Sequence, residues 1–397
     1  MRAAALVAIA SAMGLAAAAC SAFPTSATTT TTTTGEAAPR PVGPGPVAFV
    51  APAPGSAQAN VLAVSPRGGA AHPVTRGRPP VVDAAWSRDG RELVFARRST
   101  RRVEVFVARG GGRPRLIRRC AAACDPHGFA WSPDGRRIAF VTDIDSHFTG
   151  TAGEIAVMNA DGTGFRAVCA EVNCGQGLAD PQWSPDGSRL LFSNMDVIDF
   201  SGLGVLPSRI WVARPDGTDA RPLTQRHCRP GHPPLRGCFY DSAARWSPDG
   251  RWIAFSRLLQ AGGPGRRRQP RTTIELMHPD GSDLHTIAAC TGELCNQIMA
   301  PAWSPDGSRL AYIPRIERNA NVIVATPTGR LSVVRTCAGR RCITPNGLVW
   351  SPDGRELALL SATKEPGAYL ITTTGRDLHA VGRDVQCCLA WLPPLEP

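Results

Sequence analysis

Hydrophobic residues along this chain come in short runs, such as Ile138-Ala139-Phe140, Leu190-Leu191-Phe192, Ile253-Ala254-Phe255 and Leu310-Ala311-Tyr312. Each run follows a polar segment of recurring composition, Trp-Ser-Pro-Asp-Gly. Short apolar runs bounded by Gly, Pro and Asp predict β-strands separated by tight turns. The turn residues carry their own mechanism: proline presets φ, aspartate bonds back to the backbone, and glycine accepts positive φ. Motif tryptophans stand at 86, 131, 183, 246, 303, 350 and 391, the last in a decayed copy, Trp391-Leu392-Pro393. Those spacings are the propeller-blade range with insertions. Within each repeat one strand ends at the tryptophan and a second follows the turn. A third runs into a second Gly turn, as Ile155 to Met158 does before Asn159-Ala160-Asp161-Gly162, and a fourth carries residues such as Arg221-Pro222-Leu223. Four strands per repeat make a blade.

The repeat that opens at Trp391 supplies only a first strand. Val47-Ala48-Phe49, Val61 to Val64 and Pro73-Val74 offer the missing second, third and fourth. The expected fold is therefore all-β, a seven-bladed propeller of four-stranded blades. N-terminal strands pair with the C-terminal strand to close the ring and remove open sheet edges.

In its Trp-Ser-Pro-Asp-Gly and Asn-Ala-Asp-Gly-Thr signatures, the stretch from 47 to 391 resembles the TolB-type propeller family. That resemblance implies the propeller fold. The α/β domain that precedes the propeller in TolB itself has no counterpart here, so its role in the Tol–Pal system does not carry over. Related propellers fused to prolyl-oligopeptidase-like hydrolases also differ, because no G-x-S-x-G elbow is present.

Gly (40) and Pro (36) abound, as strands and turns require. The formal charge is +12, yet Lys364 is the only lysine among 44 basic residues, so the excess is arginine. Such a bias fits a GC-rich genome better than nucleic-acid binding, and no nucleic-acid partner is expected. Residues 1–20 read as an export signal: Arg2, an apolar run from Ala3 to Ala19, then Cys20. Ala17-Ala18-Ala19-Cys20 resembles a bacterial lipoprotein cleavage box, with alanine at 17 in place of the usual branched residue. Cys20 is then the lipidated residue, and the chain is held on the cell membrane or, unlipidated, is periplasmic or extracellular. Residues 21–46, with threonine unbroken from Thr28 to Thr34, read as a disordered tether. The propeller is expected over 47–397.

Cys20 is the odd member of thirteen cysteines. The rest fall in close pairs ahead of the tryptophans: Cys120/Cys124, Cys169/Cys174, Cys228/Cys238, Cys290/Cys295, Cys337/Cys342 and Cys387/Cys388. Local disulfides are the natural connectivity, each gaining roughly 2 kcal/mol in the chain-entropy model, and they require an oxidising compartment. Zinc would need ligands from two pairs on separate blades, so neither metal nor cofactor is expected. Cys387 and Cys388 differ from the others. Adjacent strand residues point to opposite faces, so a bond between them needs a distorted backbone, and they could instead stay reduced.

In a propeller the crossover loops emerge on the rim opposite the Ser-Pro-Asp-Gly turns. The cysteines and the long insertions all fall on that crossover side, which marks it as the working face. Candidate binding residues there are Asp143, Asp145 and His147, supplemented by Asp196 and Asp199. His227, His232 and Tyr240 belong to the longest cysteine loop, and Arg266, Arg267 and Arg268 could receive an anionic group. Asp89, Asp134, Asp186, Asp249, Asp306 and Asp353 are turn residues on the other side and read as structural. The leading functional expectation is a monomeric, non-enzymatic, membrane-tethered module that binds an envelope protein or glycan. The alternative is a lyase-like carbohydrate enzyme with a metal at the channel mouth, which requires convergence of two or more of His127, His147, His227 and His232.

Overall fold

A computed structural model describes residues 45–52, 58–109, 112–121, 126–142, 154–169, 176–195, 208–225, 239–259, 271–291, 301–314, 321–334, 336–338, 341–343, 345–361 and 366–392. The signal and tether segments, Cys20, Asp143, Asp145, His147, Asp196, Asp199, His227, His232 and Arg266 to Arg268 lie outside these residues, as do Cys124, Cys174, Cys228, Cys238 and Cys295.

All secondary structure among the described residues is β, in antiparallel four-stranded sheets with strands in chain order. The sheet of Val81–Trp86, Glu92–Arg98, Arg102–Arg109 and Arg115–Ala121 sets the pattern, its first strand innermost. Two successive sheets merge through one parallel pair, Ser208 with Tyr240, where Ser208 Oγ also donates to the Asp241 carbonyl at 2.8 Å. One sheet is composite: Val47–Pro52 pairs with Ala59–Val64 on one side and with Cys387–Trp391 on the other. Chain start and chain end thus share a sheet, and the ring closes through it.

The Ser-x-Asp-Gly turn is built identically six times. The serine hydroxyl donates to the aspartate carboxylate at 2.5–2.6 Å. The same hydroxyl accepts the backbone N–H of the residue five places on, at or just before the start of the next strand, at 2.9 Å. Glycine closes each turn at φ between 66° and 73°, where other residues are strained. The repeated aspartates are therefore consumed by their turns.

The tryptophan does a different job. Its indole Nε1–H crosses to the neighbouring sheet and donates to the carbonyl just before that sheet's own tryptophan. Trp131 donates to Ala85, Trp183 to Ala130, Trp303 to Arg245 and Trp350 to Ala302, at 2.8–3.2 Å. Trp246 and Trp391 have buried Nε1 atoms with no partner. Hydrophobic clusters likewise straddle sheets: Val94 and Val105 pack with Phe129, Trp131 and Phe140 of the next. The composite sheet is held in the same way, Phe49 and Trp391 packing with Leu360 and Val381 on one side and Val50, Val61 and Cys388 with Leu93 and Phe95 on the other. Arg97, 5% exposed, fastens that second junction. Its guanidinium donates to Asn60 Oδ1 at 3.0 Å and to the carbonyls of Gly77, Arg76 and Pro79.

These contacts predict that Trp183→Phe lowers stability more than Trp246→Phe does, as read by urea denaturation. The first leaves the buried Ala130 carbonyl without its donor, a loss of about 1–3 kcal/mol; the second removes an N–H that bonds to nothing. Equal losses would contradict the indole's role.

Candidate functional site

The innermost strands lie side by side around the axis: Val81–Trp86, His127–Trp131, Gln176–Trp183, Phe239–Trp246, Ala302–Trp303, Pro345–Trp350 and Cys387–Trp391, the last against the first again. Most of them break register just before the tryptophan. The shifts fall between Val81 and Asp83, His127 and Ala130, Ala179 and Gln182, Ser242 and Arg245, and Pro345 and Gly347. Opposite Cys387–Trp391 the shift falls between Ala48 and Val50. In four strands the residue three before the tryptophan occupies the left-handed region: Gly128 at φ 64°, Asp180 at 55°, Ala243 at 56° and Cys388 at 66°. A bulge of this kind adds a residue to one strand and re-aims the side chains around it.

The bulged positions carry polar groups that do not repeat. Asp83, 5% exposed, occupies the same place relative to Trp86. Its Oδ2 accepts the Gly128 N–H of the adjacent sheet at 2.7 Å, and its Oδ1 accepts the Ala84 N–H at 2.8 Å. Burial pushes its carboxyl above the ordinary range, against the pull of His127 and of the surrounding backbone N–H groups. Burial also raises Asp180, opposed by Arg245 and again by His127. Arg245 is pulled down by its own burial and held up by Asp180, while its guanidinium donates to the Ala244 carbonyl at 2.9 Å. Asn346, beside Gly347, has a buried Oδ1 with no partner. The set combines two carboxyls whose ionised forms are disfavoured with an imidazole, a guanidinium and an amide oxygen. Such groups can donate to and accept from hydroxyls and amides, as a polar ligand requires.

The rim is fixed by topology. Strands alternate in direction, so the exit of each outermost strand lies opposite the Ser-x-Asp-Gly turns. Cys120 in Arg115–Ala121, Cys169 just past Arg166–Ala167 and Cys290 in His285–Thr291 all sit at such exits. Each is disulfide-bonded. Cys337 and Cys342 are register partners in a two-stranded hairpin. The inner strands begin on this same rim: His127 opens its strand there, whereas Asp180 and Arg245 lie past the midpoint of Gln176–Trp183 and Phe239–Trp246, deeper along the channel.

Cys387 and Cys388 are bonded to each other, their Cα atoms 3.8 Å apart. The bulge at Cys388 supplies the backbone distortion that an ordinary strand forbids and that a bond between adjacent cysteines needs. Tyr240 is 8% exposed, and burial pushes its phenol up to about 12. It is a covered side chain rather than an open contact. Of the four histidines that a metal centre would draw on, only His127 lies among the described residues. Reading the repeats separately missed Asp83, Asp180 and Arg245. Aligned on their tryptophans, these three, with Gln182, break the pattern at otherwise small or apolar positions.

No family model matches the chain. An uncharacterized protein of Agrobacterium fabrum is 26% identical over 204 residues, 51% of this chain and 58% of that protein. The chain thus spans little more than half the length of this relative. Among solved structures, an oligogalacturonate lyase in complex with manganese aligns with a TM-score of 0.59 at 16% identity, over 79% of this chain and 83% of that one. TolB from Acinetobacter baumannii aligns with a TM-score of 0.47 at 17% identity, over 72% of this chain and 62% of that one. The likeness to the lyase structure identifies the fold as a β-propeller.

The raised carboxyl at Asp180 has a pH signature. A carboxyl whose folded pKa exceeds its unfolded value contributes stability below the ordinary range of about 4 and loses it as pH rises through the folded value. Asp180→Asn, which keeps the tolerance for positive φ, should flatten the slope of Tm against pH from about 4 upward. An unchanged slope would show that Asp180 ionises as it does in the unfolded chain.

Proposed function

We propose that this chain is an exported, membrane-tethered, seven-bladed propeller that binds a polar ligand of the cell envelope, a protein or a glycan, at the mouth of its channel. The observation that carries this reading is the placement of Asp83, His127, Asp180 and Arg245 on bulged innermost strands that line the channel, with the electrostatic attraction of Asp83 and Asp180 to His127 and of Asp180 to Arg245. Buried titratable groups oppose folding through desolvation, so their retention in the channel fits a binding role. The repeated turn aspartates, on the rim opposite the cysteines, are each engaged by the serine hydroxyl and a backbone N–H of their own turn. Connections on the cysteine rim supply further ligand contacts in this reading, including the segments that hold Asp143, Asp145, His147, His227, His232 and Arg266 to Arg268.

The export signal and the cleavage box at Cys20 support the tether, and the oxidised cysteines fit an oxidising compartment. Intact mass of the protein isolated from membranes should include a diacylglycerol on Cys20. A mass equal to that of the chain cleaved elsewhere, without lipid, would remove the anchor from the account.

Binding is tested by affinity capture from envelope extracts, with the wild type beside an Asp180→Asn, Arg245→Gln double variant. The expected result is a protein or glycan retained by the wild type and lost by the variant. Equal recovery would place the binding surface elsewhere. A second reading, a metal-dependent lyase, draws support from the fold likeness to an oligogalacturonate lyase in complex with manganese and from His127 at the channel. It predicts manganese-dependent release of unsaturated products from uronate polymers, abolished by His127→Ala.

A further inference from the structure

We propose that Cys387 and Cys388 form a reversible redox pair, and that the reduced pair, with the Asp83 carboxylate, is a binding site for a thiophilic divalent cation at the junction where the ring closes. The potential ligand atoms of these three residues all lie within 4.8 Å of one another. They come from the closing strand Cys387–Trp391 and from Val81–Trp86 of the adjacent sheet, so a cation held here would bridge two blades.

In either redox state each sulfur has an acceptor nearby, although reduction must part the two sulfurs beyond bonding distance. Cys388 Sγ lies 3.2 Å from Asp83 Oδ1, and Cys387 Sγ lies 3.9 Å from the Val82 carbonyl oxygen. In the disulfide these sulfurs carry no proton. As thiols, each would have an acceptor already within reach, so reduction would strand neither donor in a site where Cys388 is 4% exposed. Cys387 is less covered than Cys388, and it offers the sulfur that a reductant can reach. Asp83 is itself held in place by the N–H groups of Gly128 and Ala84, the outer support that orients a metal-binding carboxylate.

The exchange is balanced with a small dithiol as reductant. One reductant thiolate attacks Cys387 Sγ, breaking the S–S bond and releasing the Cys388 thiolate, which takes a proton. The second reductant thiol then displaces Cys387 from the mixed disulfide. Two electrons and two protons pass to the pair, and the reductant leaves as its disulfide. Cation binding then releases the two thiol protons to solvent and leaves two thiolates and a carboxylate on the metal. Two sulfurs with one oxygen select zinc or cadmium over magnesium or calcium, and three protein ligands leave a tetrahedral cation one open position.

The test uses the full chain, reduced with dithiothreitol, desalted without oxygen and titrated with cadmium. The other cysteines are shared with a Cys387→Ser, Cys388→Ser variant, so the difference between the two proteins reports this site. Wild type should take up one more equivalent in the thiolate-to-cadmium ultraviolet band. Asp83→Asn should weaken that equivalent by at least the roughly 10–100-fold that loss of an outer-shell partner costs. A readout free of variants comes from proteolysis after Arg383, which places both cysteines in one peptide, 384–397. Before reduction that peptide should be two hydrogens lighter than the dithiol, and after reduction cadmium should protect it from alkylation. Equal cadmium uptake in both proteins, or alkylation unaffected by cadmium, would overturn the proposal.

Discussion

Neighbouring blades of this protein share almost no strand pairing, so something else must fix the inner strands relative to one another. That role falls to the motif indole. Where Trp131, Trp183, Trp303 and Trp350 each donate across a junction, a backbone carbonyl that sheet pairing leaves unused is satisfied and two sheets are locked in register. The same rings fill the apolar layer between the sheets. Direction comes from the hydrogen bond and most of the free energy from burial.

With the tryptophans fixed, the residues just before them must accommodate strands that converge on an axis. The register shifts at these positions do so. Glycine and aspartate accept the left-handed conformation at Gly128 and Asp180; Ala243 adopts it at some cost and Cys388 with the help of its disulfide. Asp83 shows what a side chain gains there, since one carboxylate binds the backbone of its own strand and that of the next blade. Charged and polar groups at the channel are thus a consequence of the way the blades join, and they gather where the bulges are.

Much of the fold was legible because its determinants are local. Ser-Pro-Asp-Gly specifies a turn from four adjacent residues, and seven tryptophans in succession reveal the repeat. Closure was readable too, since Val47-Ala48-Phe49 supplies a strand that the last repeat lacks, and it does pair with Cys387–Trp391. The site was less legible. Its residues are defined by a bulge that no short segment encodes, and a bulge also decides whether two adjacent cysteines can bond. Asp83 and Asp89 look alike in sequence; one bridges two blades and the other closes a turn. Only the repeated position relative to the tryptophan separates them.

Hydrogen exchange of the indole Nε1–H groups, followed by NMR, tests the inter-blade lock most directly. If Trp131, Trp183, Trp303 and Trp350 hold neighbouring blades together, their indole protons should exchange only as slowly as the most protected strand amides, through global opening. Indole protons that exchange orders of magnitude faster than those amides would mean that the blades are joined by something else, and the channel site would lose its frame.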